Sequence, residues 1–564
     1  MSLGELEAIL KQVDQLLAQA GDLPDDAALA VSKLLNVVEA LTADNTALVA
    51  EVERLRKLVE QKKKGKTTAD PQNSSADQPS NSDHSSEKRR RKREPPTGKP
   101  AADRRSFKEL AIHETIECPV DPQTLPADAV RIADEEVVVQ DIEIKPKNTR
   151  FQRHVYYSAA AEKYFRGRLP AGYAQGDFGA NLRALIVALK YCGNMSEPKI
   201  REFLANFDVQ VSAGSLSNIL TNTAAAFEQE YQDVLTAGLS STGYQQTDDT
   251  SARVRGQLWH THILCNPFYT AYSTRPSKDR LAVLSVLQNT DDLRFRCNAE
   301  TLRLLREEFT IPVKWQKSLA ALGEDVEFDA GTWKSLLDGW FGERNRQTRT
   351  AIEQAAAIVY YRHQSSVTVV QTLVCDDAGQ FKLLSDKLAL CWIHAGRHYE
   401  RLSPIVARHA KSWAEFVERY WDYYALLQDY RAGPTTELAD RLRVQFDELF
   451  STRTGYVALD DRIAKTAANK DALLTVLTVP EVPLHNNASE LGARVSARRR
   501  DVSLHSRSER GARAMDIFTT LVQTSKKLSV SAYGYLRDRL SLRFEMPSLA
   551  QSIRQAAQSA AASG

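Results

Sequence analysis

Residues 244–273 read YQQTDDTSARVRGQLWHTHILCNPFYTAYS, and this stretch decides the fold class. Tyr244–Asp248, Leu258–Cys265 and Tyr269–Ser273 are short runs rich in apolar, β-branched and aromatic residues, the mark of strands. Asn266-Pro267 supplies a turn that joins the second run to the third as a hairpin. Val367–Cys375 and Leu388–Ile393 have the same strand character, and long helical stretches at 300–360 and 395–475 interrupt the series. Strands interleaved with helices predict an α/β core over residues 239–525, with helical insertions near 298–355 and 400–480.

Working outward, residues 166–238 read as helical. Phe178 to Tyr191 has helical apolar spacing and ends at Gly193-Asn194. Ser196 is a good N-cap, and Pro198 is tolerated in a first turn. Asp208–Val211 is a short link to Ser212–Leu220. Two short helices with a tight link are the footprint of a helix-turn-helix, although an ordinary helical hairpin leaves the same trace. In the first reading Ser215, Ser217, Asn218 and Thr221 face a DNA groove. Residues 105–165 read as a small β-containing module, with VVVQDIEIKP (137–146) and RFQRHVYYS (150–158) as its strands. Residues 526–564 form a helical tail that is expected to fray after Ser548.

The first 62 residues carry a heptad seam. Val31, Val38, Asn45 and Val52 occupy the a positions, and Leu34, Leu41, Leu48 and Leu55 the d positions. Val at a with Leu at d favours a parallel two-stranded coiled coil, and one Asn at a fixes its register. Glu51 at g and Arg56 at the following e are spaced for an interhelical ion pair; a helix packed on its own chain is the plainer alternative. An amphipathic helix over Leu3 to Ala20 precedes the seam. Residues 63–104 nearly lack large apolar side chains and are expected to be a disordered basic linker. Within it Lys88, Arg89, Arg90 and Arg91 belong to a run of six cations that could contact phosphates, or be a solvated linker.

Composition narrows the class. The chain has 564 residues, 43% hydrophobic and 26% charged, which suits several folded domains. Lys plus Arg is 74 against 72 Asp plus Glu, so the chain is not a simple polycation. No run of about 18 apolar residues exists, and a membrane partner is not expected. The N-terminus MSLGELEAILKQVDQ lacks the apolar region of a secretory signal. The six cysteines form no Cys-x-x-Cys pair, which argues against a disulfide scaffold and suits a reducing cytoplasm.

Three carboxylates stand out by placement. Asp248 ends a strand, Asp376 follows the apolar run Thr-Leu-Val-Cys, and Glu490 lies in the first turn of a helix opened by Asn486-Asn487. Ligands gather at the carboxyl ends of strands in α/β sheets. Gathered there, such side chains would suit two Mg²⁺ ions, with Mn²⁺ as a substitute, in phosphodiester displacement. Each has a plainer reading. Asp248 and Asp249 could be turn formers, Asp376 and Asp377 could open a loop and cap the next helix, and Glu490, three residues after Asn487, has the spacing of a capping box. Spacing alone leaves these alternatives open.

Several blocks resemble those of transposases of the insertion sequence 66 family. Asp248-Asp249-Thr250 with Arg253-Val254, Gly256 and Trp259 is similar to its first catalytic block. Cys391-Trp392-Ile393-His394-Ala395-Gly396-Arg397 resembles its Cys-Trp-x-His-Ala-x-Arg. His485-Asn486-Asn487-Ala488-Ser489-Glu490 resembles its Asn-Asn-x-x-Glu-Arg block. Ser508-Glu509-Arg510-Gly511-Ala512 and Tyr535-Leu536-Arg537-Asp538 match two further signatures, and Gly172-Tyr173, Met195-Ser196, Lys199-Ile200 and Ser215–Asn218 are similar to its helix-turn-helix region. Each block is modestly specific; their joint occurrence in order, over about residues 135–545, is highly specific.

The resemblance implies a ribonuclease-H-like α/β catalytic core with a DDE triad at Asp248, Asp376 and Glu490, with Asp249 and Asp377 as lesser rivals. It implies cleavage at the terminal inverted repeats of a mobile element, then attack of the freed 3′-hydroxyl on target double-stranded DNA. A leucine zipper is typical of the family, so a homodimer or higher oligomer is expected, with accessory proteins of the element as further candidate partners. A bacterial cytoplasmic, nucleoid-associated location follows. His394, Arg397, Arg494, Arg498, Arg499, Arg500, Arg507 and Arg510 are the expected DNA contacts near the metals, with a core histidine and a solvated basic helix face as the plainer options. The sequence departs from the family at three places, one of them an interval between Asp248 and Asp376 longer than the family leads one to expect, for which an added helical segment near 298–355 is the explanation. Cys118 stands without a second cysteine, so zinc is not expected despite His113 and Asp121 nearby. Leu491 replaces the Arg that follows the triad glutamate. A regulator that binds DNA without catalysis and a nuclease of the same fold are the rival functions.

Overall fold

The computed structural model describes residues 25–64 and 111–563 together with 9, 10, 12 and 13, apart from 122, 123, 125, 127, 128, 171, 172, 174–177 and 343. Lys88, Arg89, Arg90 and Arg91 therefore lie outside the described residues. The chain divides into two compact units, Val59–Thr149 and a larger one made of Met1–Leu58 with Arg150–Gly564.

Helix α1 (Asp25–Lys64) runs unbroken through the heptads. Its d-position residues Leu34, Leu41 and Leu48 are 63–64% exposed. Glu51 pairs with Arg54 of the same helix at 2.6 Å.

In the smaller unit, residues 129–149 carry no regular element, and Val137, Val139 and Ile142 are 79–83% exposed. This corrects the expectation of a strand at VVVQDIEIKP. Alternation favours a strand only where one face is covered and a neighbour pairs with it. Neither is present there among the described residues. The run RFQRHVYYS, in the larger unit, does form a strand: β1 (Val155–Ser158) pairs antiparallel with β2 (Lys163–Arg166).

Four helices follow: α2 (Ala180–Tyr191), α3 (Glu197–Ala205), α4 (Ala213–Ala225) and α5 (Glu228–Leu239). Ser196 accepts a backbone N–H bond at the start of α3, as predicted, and Ser212 does the same at the start of α4. Ile200, Leu204, Leu216, Ile219 and Leu220 bury the shared face.

The sheet begins with β3 (Tyr244–Val254), β4 (Gln257–Asn266) and β5 (Tyr269–Arg275), an antiparallel meander. Helix α6 (Arg280–Leu287) leads to an inserted module. There β6 (Phe295–Asn298) pairs with β7 (Asp325–Phe328), and α7 (Ala299–Glu307), α8 (Val313–Ala320) and α9 (Ala330–Phe341) surround the pair. The insertion is thus mixed α and β rather than helical. Its strands are only four residues long and charged, so no apolar run marks them; a Phe295–Trp333 stack at 5.2 Å and an Arg296–Asp325 ion pair hold them instead.

After α10 (Arg346–His363), strands β8 (Thr372–Cys375) and β9 (Lys387–Leu390) complete the sheet order β5-β4-β3-β8-β9, both parallel to β3. Both are shorter than the runs read as strands. Val370 N–H donates to the Tyr361 hydroxyl at 2.8 Å ahead of β8, and α11 (Trp392–Glu400) begins where β9 was expected to continue. His394 consequently sits on a helix, not a strand edge. Then come α12 (Ala407–Ala432), α13 (Thr436–Phe450), α14 (Val457–Ala468) and α15 (Lys470–Leu473), a helical insertion packed around the buried Trp392. Next is α16 (Asn487–Ser503). Leu504, with φ of 55°, ends it before α17 (Glu509–Lys527).

Helix α17 covers the β5 edge of the sheet. The N–H groups of Thr270, Tyr272 and Thr274 donate to Thr524 (3.3 Å), Thr520 (3.0 Å) and Asp516 (2.7 Å). Four helical residues rise ~6 Å and two strand residues ~6.6 Å, so an i+4 ladder can match an i+2 row. An edge that would otherwise invite another strand is closed this way. Helices α18 (Ala532–Leu540) and α19 (Leu549–Ser563) finish the chain. The expected fraying after Ser548 is overturned: Leu549, Ala550 and Ile553 are buried as α19 packs on α5. No described helix is long and apolar enough to cross a membrane.

Candidate active site

The parallel pairing of β3 with β8 runs Tyr244↔Thr372, Gln245↔Leu373, Gln246↔Val374. Continued by two residues, that register sets Asp248 opposite Asp376 on neighbouring strands. Residues in register on parallel strands share a face and lie ~4.8 Å apart. β8 is buried along its whole length, which fixes it as the central support for Asp376. The Asp249 N–H donates to Asp248 Oδ1 at 2.8 Å, and the Ala378 N–H to Asp376 Oδ1 at 3.1 Å.

The two rival aspartates are occupied elsewhere. Asp249 accepts from Gln380 Nε2 at 2.9 Å. Asp377 pairs with Lys382 at 3.0 Å and accepts from Asn469 at 3.2 Å.

Glu490 arrives on α16, which lies against β3 and β4 at its glycine. A methyl added at Gly492 would stand 2.8 Å from Ile263 Cγ2, and the Tyr272 hydroxyl donates to the Gly492 carbonyl at 3.2 Å. Asn486 fixes the start of the helix. Its Nδ2 donates to the Thr247 carbonyl at 2.7 Å, one residue before Asp248, and its N–H donates to Cys391 Sγ at 3.3 Å. The helix begins at Asn487, which is therefore its first residue and not its cap, and no side chain caps the helix start, so a capping box from Asn487 does not explain Glu490. Glu490 Oε1 lies 3.4 Å from His394 Nδ1, and its Oε2 3.4 Å from Arg397 Nη2. His394 and Arg397 are three apart on α11, hence on one face, with 3.2 Å between them.

Burial, and after it the neighbouring carboxylates, raise both aspartic acids. The Asp248 carboxyl is pushed up to about 8, by burial first, against the lowering effect of the Asp249 N–H, and then by Asp376, Asp249 and Glu490. The Asp376 carboxyl is also raised, by burial first; the Ala378 N–H and His394 oppose this, while Asp249 and Asp377 add to it. The donors Asp248, Asp376 and Glu490 are all oxygen, the set preferred by hard divalent cations. Among the described residues the ligand atoms of Cys391, His394 and Glu490 also lie within 4.8 Å of one another. Burial pushes the Cys391 thiol up to about 12, and its sulfur already accepts from Asn486. That thiol serves the junction of β9, α11 and α16.

The basic candidates divide. Arg498, Arg507 and Arg510 are exposed and Arg494 half-exposed. Glu490, Arg494 and Arg498 follow at i, i+4 and i+8, so a stripe of cations leads from the carboxylate along α16. Arg510 bonds Asn222 of α4 at 2.5 Å. Arg499 is corrected. It is buried, bonds the Tyr191 carbonyl at 2.8 Å and the Thr519 hydroxyl, and lies over the Tyr191 ring. Arg500 bonds Thr250 Oγ1 at 3.1 Å and the Ser251 carbonyl, bracing β3. On α4, Asn218 is exposed, Ser217 and Thr221 are half-buried, and the Ser215 hydroxyl bonds that of Ser212 at 2.9 Å. Cys118 is exposed, and its Sγ lies 3.9 Å from the Ile116 carbonyl.

Fold and site together define an α/β protein with Asp248 and Asp376 in register just past the parallel pairing of β3 with β8, and Glu490 beside them on α16. The family model described as "Transposase IS66 family" matches residues 346–514, which include Asp376 and Glu490. A Sinorhizobium fredii protein, named only as uncharacterized protein y4jO, is 33% identical over 327 residues, covering 55% of this chain and 95% of that protein. The chain belongs to the IS66 family of transposases.

Proposed function

We propose that the chain is a DNA transposase that cleaves the phosphodiester bonds at the ends of a mobile element and joins the 3′-hydroxyl ends to target DNA. The observation that carries this is the convergence just past the β3–β8 pairing of Asp248, Asp376 and Glu490 from segments about 130 and 110 residues apart. The order β5-β4-β3-β8-β9 with a flanking helix that delivers the third acid supports the ribonuclease-H-like reading of the core.

Asp248, Asp376 and Glu490 would hold two Mg²⁺ ions, for which Mn²⁺ substitutes. Bound there, the ions supply Lewis acidity to the attacking and leaving oxygens of the displacement. Burial and the neighbouring carboxylates raise the Asp248 carboxyl, and a divalent cation held there would favour its ionised form. Arg397 and His394 hold Glu490 in position through its two carboxylate oxygens. Asn486 keeps α16 in register with β3, so that Glu490 and Asp248 move as one piece. Arg494, Arg498, Arg507 and Arg510, with Asn218 on α4, are the side chains offered to DNA phosphates and groove edges. Dimerisation runs through Val31, Leu34, Val38, Leu41, Asn45, Leu48, Val52 and Leu55 of α1. Zinc has no place in this reading, and accessory proteins of the element remain candidate partners.

A strand-transfer assay with element-end DNA and Mg²⁺ tests the proposal. Wild type is expected to nick and join, and Asp248→Asn to bind the ends without doing either. Binding without nicking by wild type would favour a regulator, and nicking without joining a nuclease.

A further inference from the structure

The zipper helix is not a tethered handle; part of it is bolted to the helical insertion. Glu39 on α1 is 7% exposed. Its carboxylate accepts from the N–H groups of Val406 (2.8 Å) and Ile405 (3.0 Å) at the start of α12, and lies 3.3 Å from His409 Nδ1. Free N–H groups at a helix start are good partners for an anion. Burial would raise the Glu39 carboxyl, but the bonds from His409, Val406 and Ile405 hold it below its ordinary value. One turn earlier, Asn36 Oδ1 accepts from the Val457 N–H at the start of α14 at 2.9 Å, and its Nδ2 donates to the Gly455 carbonyl at 2.9 Å. Leu35 is buried with Val406 and Leu10. His409 in turn stacks on Tyr456 at 4.9 Å.

These contacts come from one face. In the heptad frame Leu35 is e, Asn36 is f and Glu39 is b. At ~100° per residue that face is centred ~120° round the helix from the a/d seam. The seam leucines Leu34, Leu41 and Leu48 stay exposed, while the first two a residues, Val31 and Val38, are half-buried against the Leu10–Leu35–Val406 cluster of the chain itself, so the seam open to a partner runs on from Leu41 to Leu55. From Ala43 to Lys57 every side chain is exposed.

We propose that α1 is a two-sided bracket: its b/e/f face is fixed to the starts of α12 and α14 through Asn36 and Glu39, and its a/d seam carries a second copy of the chain. The proposal rests on the dimer reading given above and goes beyond it. A second copy is the occupant favoured by the seam itself, because apolar residues repeat on it with one Asn, and Glu51 and Arg56 are complementary across a parallel pair. Dimerisation through such a bracket sets the spacing of two catalytic bodies directly, with no linker between zipper and enzyme. Asn36 and Glu39 are then positioning residues for paired-end assembly.

The test uses the full chain with Cys118 and Cys192 replaced by Ser and a spin label at Lys411→Cys, an exposed site on α12. Sedimentation reports the oligomer, and pulsed dipolar spectroscopy the label–label distance. The parent is expected to be a dimer with one narrow distance. Asn36→Ala/Glu39→Ala, and the milder Glu39→Gln, should remain dimers with a distribution broadened severalfold for the pair and less for the single change. Leu41→Asp/Leu48→Asp should be monomeric with no dipolar signal. A dimer whose distance stays narrow without Asn36 and Glu39, or a docking variant that turns monomeric, overturns the bracket. A parent that is monomeric, or a seam variant that stays dimeric, overturns the dimer reading beneath it.

Discussion

Two stretches of this chain carry strand-like apolar residues, one as a continuous run and one in alternation, and meet opposite fates. At the carboxylate site, β8 is four residues long and buried on both faces, and its register places Asp376. In residues 137–146 a longer, alternating run stays exposed and forms no strand. The difference lies in what each finds to pair with. β8 is flanked by β3 and β9, and α16 and α11 are tied across the same region by Asn486 and Cys391. Where several segments constrain one another, geometry becomes sharp enough for chemistry. A stretch with no covering face among the described residues has nothing to fix it.

The comparison breaks most severely at Asn486. Asn486→Ala removes the bond to the Thr247 carbonyl and leaves that buried acceptor unmet, at a cost of about 1–3 kcal/mol. Strand transfer is expected to fall at least ~100-fold through misplaced Glu490, since an ångström of misplacement can cost that much. Thermal melting and a joining assay read the two effects separately. Equal loss in both, cured by lower temperature, would make Asn486 merely structural.

Arginine neighbours sharpen the contrast between constrained and free side chains. Arg499→Ala should destabilise by about 2–3 kcal/mol, as a buried network is opened. Arg498→Ala should leave the melt alone and reduce the salt slope of DNA binding by about 1. An unchanged slope for Arg498→Ala would take the cation stripe out of the DNA path.

Asp516 gives a pH signature at the closed sheet edge. Its folded-state value is pushed up to about 6, by burial first, against bonds from Thr274 and the nearby Arg513 and Arg275. Because the folded value lies above the unfolded one, the favourable contribution is full below about pH 4 and lost as pH rises through about 6. The difference amounts to about 3 kcal/mol at most. Urea unfolding from pH 4 to 7.5 should show a slope in wild type that Asp516→Asn flattens. The smallest effect belongs to the exposed run: Val139→Asp should change stability by less than ~0.5 kcal/mol.

Much of the site was legible because its chemistry is carried by motifs. Asp376 and Glu490 each follow or open a recognisable element, whereas Asp248, read as the end of a strand, lies inside β3, which the antiparallel pairing with β4 carries on to Val254; blocks around all three resemble one family in order. The helix α1 was legible because its apolar period needs no tertiary information. Other features depended on distant partners. Asn486 reads as a helix opener, but its partner Thr247 is 239 residues away. Arg499 sits among exposed cations in sequence and points inward because Tyr191 and Thr519 happen to face it. The Ser548 tail is small and polar, yet Leu549 and Ile553 suffice to dock it on α5. The docking of α1 through Glu39 has no sequence signal, since one buried glutamate looks like any other on a helix.

Local iron-generated radical cleavage of the chain itself examines the carboxylate centre most directly. With Fe²⁺ replacing Mg²⁺, ascorbate and peroxide should cut the backbone near residues 248, 376 and 490 together, and excess Mg²⁺ should suppress all three cuts. Cuts at one of these places only, or cuts that Mg²⁺ does not suppress, would contradict a shared cation site.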